Sequence, residues 1–329
     1  MTFRLTAGVA LLSLLAPLAQ AVDLDRPDIE SFVDAMVAQH DYDREALLGI
    51  LGQAEKQQSV LDAISRPAEK TLEWGEYRKI FLTPERIEAG AQFWRDNRAE
   101  LEDIARRTGV PVEMIVGIIG VETYYGRITG GYRVLDALAT LAFYYPPRSK
   151  FFRSELEQFL LLVREEGMDA ADAFGSYAGA MGRPQFMPSS YRAYAVDSTG
   201  DGKRDIWNNW KDVAGSIANY FNAHGWRTGE EITTRATIGD RWSGPFPKNI
   251  LKAEDTVGSL SDVGVMFSTT KGKEAAAQLL TLEGADGPEH WVGFHNFFVI
   301  TRYNRSVMYA LAVHQLAEEI ALVVRGDAS

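Results

Sequence analysis

The chain has 329 residues, 46% of them hydrophobic and 24% charged, the composition of a folded globular protein and not of a disordered or collagen-like one. Asp and Glu number 45 against 34 Lys and Arg, so the formal net charge is −11, which argues against broad nucleic-acid binding by phosphate neutralisation. With no cysteine at all, disulfides, thiolate metal sites, iron–sulfur clusters, cysteine nucleophiles and lipid attachment through sulfur are excluded.

Residues 1–21 read as a targeting segment. One positive side chain, Arg4, precedes an apolar run from Ala7 to Leu18, which closes on Ala19-Gln20-Ala21, a small-x-small signal-peptidase pattern. The run is shorter than the ~20 apolar residues of a spanning helix. The expected mature chain starts near Val22, is exported and soluble, and has no membrane span; the alternative is a retained N-terminal anchor.

From residue 28 to about 230 the pattern is mostly helical. Pro27 suits the first position of a helix over Asp28–Ala38. Thr83-Pro84-Glu85 is a cap, a proline and an acid, and starts a helix expected to run to about Arg107 and stop at Gly109. Pro111 to Thr123 and Phe151 to Glu166 are further helices. After Gly229 the period changes. Glu231–Ile238, Val265–Ser268, Ala277–Leu282 and Trp291–Thr301 read as strands, which places a small β-rich unit at 231–290. Val307–Val324 returns to helical periodicity.

Four segments carry chemistry. In Val112–Arg127, VEMIVGIIGVETYYGR, Glu122 shares a helix face with Ile115, Ile118 and Ile119. A carboxyl carried onto an apolar face, at the negative end of a helix, is a candidate general acid. The alternative is an end-of-helix acid that turns to solvent or pairs with Arg127. Gly117, Gly120 and Gly126 suggest close backbone approach or a cleft beside it. Gly175–Tyr191, GSYAGAMGRPQFMPSSY, is too rich in small residues and proline for a helix; it reads as a fixed loop lined by Gln185, Phe186 and Met187, with Ser189 or Ser190 capping the next helix. It suits close approach of a sugar, or simply joins two core helices. Asp197-Ser198-Thr199-Gly200-Asp201-Gly202-Lys203-Arg204-Asp205 puts oxygen ligands and a turn glycine at the spacing of a hard-cation loop. It departs from that pattern at its twelfth position, Asn208, and Asp212 could close the site instead. The alternative is an Asx-rich turn with no ion. Finally, Thr301–Ser306 reads as a polar corner between a strand and the last helix, either a binding corner or a plain connection.

GVETYYGR, LDALATLAFYYPPR, ELEQFLLLVREEG, the Gly175–Tyr191 loop, the Asp197–Asp205 loop, IANYFNAHGW and VITRYNRSVMYALAV occur in this order. Together they resemble the B-type lytic murein transglycosylases, over about Asp28 to Arg325. The resemblance implies a mainly α (α+β) fold: a lysozyme-like helical core, an additional helical domain and a small β-rich domain. On this chain the units would be 1–21 signal peptide, 22–85 helical domain, 86–230 catalytic core with an EF-hand-like loop at 197–212, 231–290 β-rich domain, and 291–329 returning to the core.

It also implies cleavage of the MurNAc–GlcNAc bond of peptidoglycan without water, giving 1,6-anhydro products, with Glu122 as acid and then base. Substrate contacts would fall on Tyr77, Arg148, Ser176, Gln185, Tyr220, Tyr303 and Asn304. A structural calcium ion would be held by Asp197, Thr199, Asp201, the Lys203 carbonyl and Asp212, with no organic cofactor. The expected partners are peptidoglycan glycan strands and other cell-wall enzymes, and the expected location is the periplasm. Where relatives carry two adjacent arginines this chain has Pro147-Arg148. Two alternatives to the transglycosylase are a lysozyme-type muramidase, which would add water, and a non-catalytic peptidoglycan-binding protein.

Overall fold

The computed structural model describes residues 20–66, 72–247 and 249–326; most of the expected signal segment lies outside them. The described chain opens with strand β1 (Gln20–Ala21), helix α1 (Pro27–His40), α2 (Arg44–Leu51), β2 (Glu55–Lys56), which pairs antiparallel with β1, and α3 (Gln58–Ile64). Val22 is buried and donates to the Ala54 carbonyl, so the packed structure includes the expected first mature residue.

Helices α4 (Trp74–Phe81), α5 (Pro84–Asp96), α6 (Arg98–Thr108) and α7 (Val112–Thr123) follow. Thr83 caps α5 through its hydroxyl, with Pro84 in the first turn, as the sequence predicts. The single helix expected from Thr83 to Arg107 is instead two. At Asn97 the backbone leaves helical geometry (φ −113°, ψ 22°), and the Asn97 amide side chain bonds the Phe93 carbonyl at 2.9 Å. A local side-chain bond of this kind competes with the helix ladder.

The helical layer continues with β3 (Tyr132–Arg133), α8 (Val134–Tyr144), a 3₁₀ turn at Pro146–Arg148, α9 (Ser149–Glu166), β4 (Phe174–Gly175), which pairs with β3, α10 (Pro188–Tyr194) and α11 (Trp210–Ala223). Neither serine caps α10. Met187 occupies the cap position, and Ser189 gives both its amide and its hydroxyl to the buried Glu155 of α9.

The β-rich region is one five-stranded antiparallel sheet. β5 (Thr233–Ile238), β6 (Asp255–Thr256), β7 (Val265–Phe267), β8 (Ala276–Gly284) and β9 (Gly287–Gly293) are arranged β6-β8-β9-β5-β7, and a short helix, α12 (Val257–Asp262), lies among them. The strand expected over Trp291–Thr301 ends at Gly293, and His295–Tyr303 is helix α13. A short run of apolar residues has no period that separates strand from helix; here Asn296, buried and bonded to the Arg227 amide and carbonyl, fixes the turn away from the sheet.

The last helix, α14 (Val307–Gly326), runs through the core. It is the one described helix long and apolar enough to cross a membrane, and 72% of its apolar window is buried inside the fold. It packs on α7 at close range. A Cβ on Gly117 would sit 3.0 Å from the Val313 carbonyl and from Ala317, and one on Gly120 would sit 2.9 Å from Leu316. These glycines serve helix–helix approach, not an open cleft.

Candidate active site

Because α7 and α14 lie so close, Tyr309 in the first turn of α14 reaches the last turn of α7. Its hydroxyl donates to Glu122 Oε1 at 2.5 Å. Glu122 is half-buried, and Ile115, Ile118 and Ile119 beneath it are fully buried. Burial first, and then the negative charge of Glu122, push the Tyr309 phenol well above its ordinary value. Tyr309 therefore remains a hydrogen-bond donor through any working pH.

After Glu122 the chain turns sharply. Tyr124, Tyr125 and Gly126 all have positive φ (49°, 57° and 81°), a region costly for residues with side chains. Two contacts hold this turn. Tyr125 donates to the Arg86 carbonyl at 2.9 Å, and the Arg86 guanidinium donates to the Gly120 carbonyl at 2.7 Å while lying over the Tyr124 ring. A cation on a C-terminal carbonyl offsets the negative helix end expected from sequence. Arg86 comes from α5, so no local pattern around Glu122 reveals it.

The Gly175–Tyr191 loop forms the facing wall. It folds on itself through bridges of Met181 with Gly175 and with Phe186. Ser176 Oγ accepts from the Ala178 and Ala180 amides. Gln185, at φ 52°, clamps the loop by donating to the Gly182 and Thr129 carbonyls. Two bonds tie the loop to the acid's surroundings: Thr123 Oγ1 to the Arg183 carbonyl at 3.2 Å, and Tyr303 Oη to the Pro184 carbonyl at 2.7 Å. Tyr303 also packs on Tyr220, ring centres 4.8 Å apart, and both rings meet Phe186. Tyr220 donates to the Arg302 carbonyl at 2.6 Å. Burial raises the Tyr220 and Tyr303 phenols, and the Glu122 charge adds to the effect at Tyr303.

Of the predicted positions, Tyr220 and Tyr303 are in ring contact, the Glu122 charge acts on Tyr303, and Gln185 and Ser176 belong to the loop whose Pro184 carbonyl Tyr303 holds. Tyr77 is buried on α4, and its phenol interacts electrostatically with Tyr309. Asn304 ends α13 beside Tyr303. Arg148 stands at the start of α9 with its guanidinium over Phe151 and Phe152. Sequence reading missed Tyr309 and Arg86. Tyr309 lies within VITRYNRSVMYALAV, but its role depends on the contact between α7 and α14.

In the cation-type loop, Asp197 accepts from the Thr199, Gly200 and Gly202 amides, Asp201 from the Lys203 amide, and the buried Asp212 from the Ser198, Thr199 and Asp205 amides. Asp212 therefore closes the loop from α11. The donor set is all hard oxygen and suits calcium by its chemistry. Its carboxylates are turned onto backbone amides, and among the described residues no three His, Asp or Glu side chains converge as metal ligands would.

Residues 25–318 match the family model described as the transglycosylase SLT domain. The chain is 43% identical over 307 residues to the membrane-bound lytic murein transglycosylase B of Escherichia coli, covering 91% of this chain and 84% of that protein. Among solved structures it superposes on soluble lytic transglycosylase SltB1 from Pseudomonas aeruginosa (47% identity, TM-score 0.83, 91% of this chain and 100% of that one). It superposes equally on the E. coli lytic transglycosylase Slt35 in complex with calcium (41%, 0.83, 93% and 97%). SltB3 from P. aeruginosa in complex with NAG-NAM-pentapeptide is more distant (30%, 0.77, 89% and 78%). With the acid, its tyrosine partner and the folded loop in place, these similarities over nine-tenths of the sequence show that the chain belongs to the B-type lytic murein transglycosylases, enzymes that cleave peptidoglycan.

Proposed function

We propose that Glu122 serves as the acid and then the base of a non-hydrolytic cleavage of the MurNAc-β-1,4-GlcNAc bond. The observation that carries this is the half-buried Glu122 carboxyl, above an isoleucine floor, that accepts from Tyr309. Glu122, held by Tyr309 through Oε1, gives its proton to the glycosidic oxygen as the bond breaks. The substrate's own N-acetyl group meets the positive charge developing at C1, so no second carboxylate is needed. Glu122, now ionised, takes the proton of the muramic acid 6-hydroxyl, and that oxygen closes onto C1 as a 1,6-anhydro ring. Gln185, Tyr220, Tyr303, Ser176, Tyr77, Arg148 and Asn304 are the proposed substrate contacts.

Glu122→Gln keeps size and shape but cannot exchange the proton. It should bind glycan and lose turnover by at least ~10²–10⁴-fold, the usual worth of an acid–base group. Wild-type digestion of peptidoglycan in ¹⁸O-water should release anhydro-muropeptides without label. Label at muramic C1 would make the enzyme a hydrolase, and near-wild-type turnover by Glu122→Gln would remove Glu122 from the mechanism.

The same proposal includes a structural calcium ion at Asp197, Thr199, Asp201, the Lys203 carbonyl and Asp212, supported by the oxygen donor set and by the calcium complex of Slt35. It also includes export to the periplasm with cleavage after Ala21, supported by the Ala19-Gln20-Ala21 pattern. N-terminal sequencing should then find Val22; a protein that retains Met1 would argue for an anchor.

A further inference from the structure

In a chain of formal net charge −11, one open cavity of about 570 Å³ has a cationic lining. It lies between the end of α11, the segment 250–254 and the end of α13, and its walls include His224, Leu251, Lys252, Glu254, Arg302 and Arg305. Lys252 is ion-paired with Glu254 at 2.9 Å. Neither Arg302 nor Arg305 forms an ion pair with a described residue, so the two guanidinium groups carry the net charge of the cavity. A planar guanidinium offers a fork of donors that fits a carboxylate.

The cavity shares its wall with the acid's surroundings. The His224 ring stacks on Tyr220 at 4.2 Å, and the Arg302 carbonyl holds the Tyr220 hydroxyl. Arg302 precedes Tyr303, whose hydroxyl is bonded to the loop facing Glu122. Arg305 also lines the adjoining groove with Ser306, Val307 and Met308, immediately before Tyr309. The cavity therefore adjoins two of the tyrosines proposed above as substrate contacts, Tyr220 and Tyr303.

We propose that this cavity is a subsite for the stem peptide of peptidoglycan, with Arg302 and Arg305 taking its free carboxylates. The inference rests on the peptidoglycan reading above. The sugars at the scissile bond are uncharged, whereas the peptide leaves the lactyl group of the muramic acid and carries several carboxylates. It is thus the anionic part of the substrate nearest the cleft. The subsite would make the enzyme prefer glycan that still bears peptides.

The test uses the full chain carrying Glu122→Gln, titrated calorimetrically with a purified disaccharide-tetrapeptide and with the same disaccharide lacking the peptide, its lactyl carboxyl capped as a neutral amide. The peptide-bearing ligand should bind roughly three- to thirty-fold more tightly, the worth of two exposed ion pairs. The difference should shrink in high salt and disappear in Arg302→Gln/Arg305→Gln, while Arg305→Lys should retain part of it. Equal affinity for the two ligands, or a preference that survives the double substitution at an unchanged melting temperature, would overturn the proposal. A peptide preference in a wild-type enzyme that releases no anhydro product leaves this site standing and removes the transglycosylase reading instead.

Discussion

Tyr309 holds Glu122 directly, through its hydroxyl. A hydrogen bond to an ionised partner in a partly buried site contributes about 1.5–3 kcal/mol. Tyr309→Phe should therefore lower kcat on peptidoglycan by roughly ten- to a hundredfold. In a Glu122→Gln background it should cost almost nothing, because the two groups act as a unit. Equal losses in both backgrounds would assign Tyr309 a purely structural role. One turn further along α14, His314 has the opposite character. It is buried, and burial pushes its imidazole down to about 4 from an ordinary 6.5. As pH falls from 6.5 towards 4 the unfolded chain takes up a proton that the folded chain refuses. Stability that is intact above 6.5 is then lost, by on the order of 3 kcal/mol. Glu318, 3.5 Å from Nε2, has its carboxyl raised by burial and then by Glu319, and it works against this trend as pH falls. The clean measurement is therefore a difference: urea unfolding of wild type and His314→Leu from pH 7 to 4. Parallel curves for the two proteins would show that His314 is not the source of the slope.

At the scale of elements, the candidate active site is made by helix ends. α7 delivers Glu122, α14 delivers Tyr309 and α13 delivers Tyr303, and the spacing of the first two is set by Gly117 and Gly120. The Asp197 loop is the element whose stability should respond to metal. Its carboxylates already organise the backbone through amides, and a cation would add to that order. A ligand that binds only the folded state stabilises by RT ln(1 + [L]/Kd), about 2.7 kcal/mol at a hundredfold excess over Kd. Calcium should therefore raise Tm by several degrees in metal-free wild type, and by much less in Asp201→Ala. An unchanged Tm in the wild type would rule the site out.

At the scale of the molecule, the sheet is joined to the catalytic helices through Glu289 on β9. Its Oε2 accepts from Arg235 at 2.8 Å, from Trp74 Nε1 at 3.2 Å and from Trp291 Nε1 at 3.3 Å. Trp74 begins α4, which also carries Tyr77. The neighbouring Gly75 lets α4 rest on the β8–β9 hairpin, where a Cβ would come within 2.7 Å of the Ala285 amide. Glu289→Ala leaves two indole donors and a guanidinium without their acceptor. It should cost about 2–3 kcal/mol in urea unfolding and raise KM more than it lowers kcat, because the wall bearing Tyr77 loosens while Glu122 and Tyr309 remain paired. A loss confined to kcat would refute this account of the junction.

Most of the helical layer was legible in the sequence because caps, prolines and apolar period act locally. Thr83-Pro84 starts α5, Gly109 at φ 73° stops α6, and the Ile115–Ile118–Ile119 face beneath Glu122 is visible from spacing alone. The order of the motifs identified the family, and the small-residue loop was recognisable because no helix tolerates that composition. Where two conformations compete closely, the sequence did not decide. The apolar run after Trp291 could be strand or helix until Asn296 found the 227 backbone, and the break at Asn97 turned on one side-chain bond to Phe93. What only the tertiary structure decided are the partners that lie far apart in the chain. Tyr309 is 187 residues from Glu122, Arg86 is 34 from the carbonyl it caps, and Trp74 is 215 from Glu289. Local propensity carries no signal across such separations, because these contacts arise only when packing of the apolar faces brings the helix ends together.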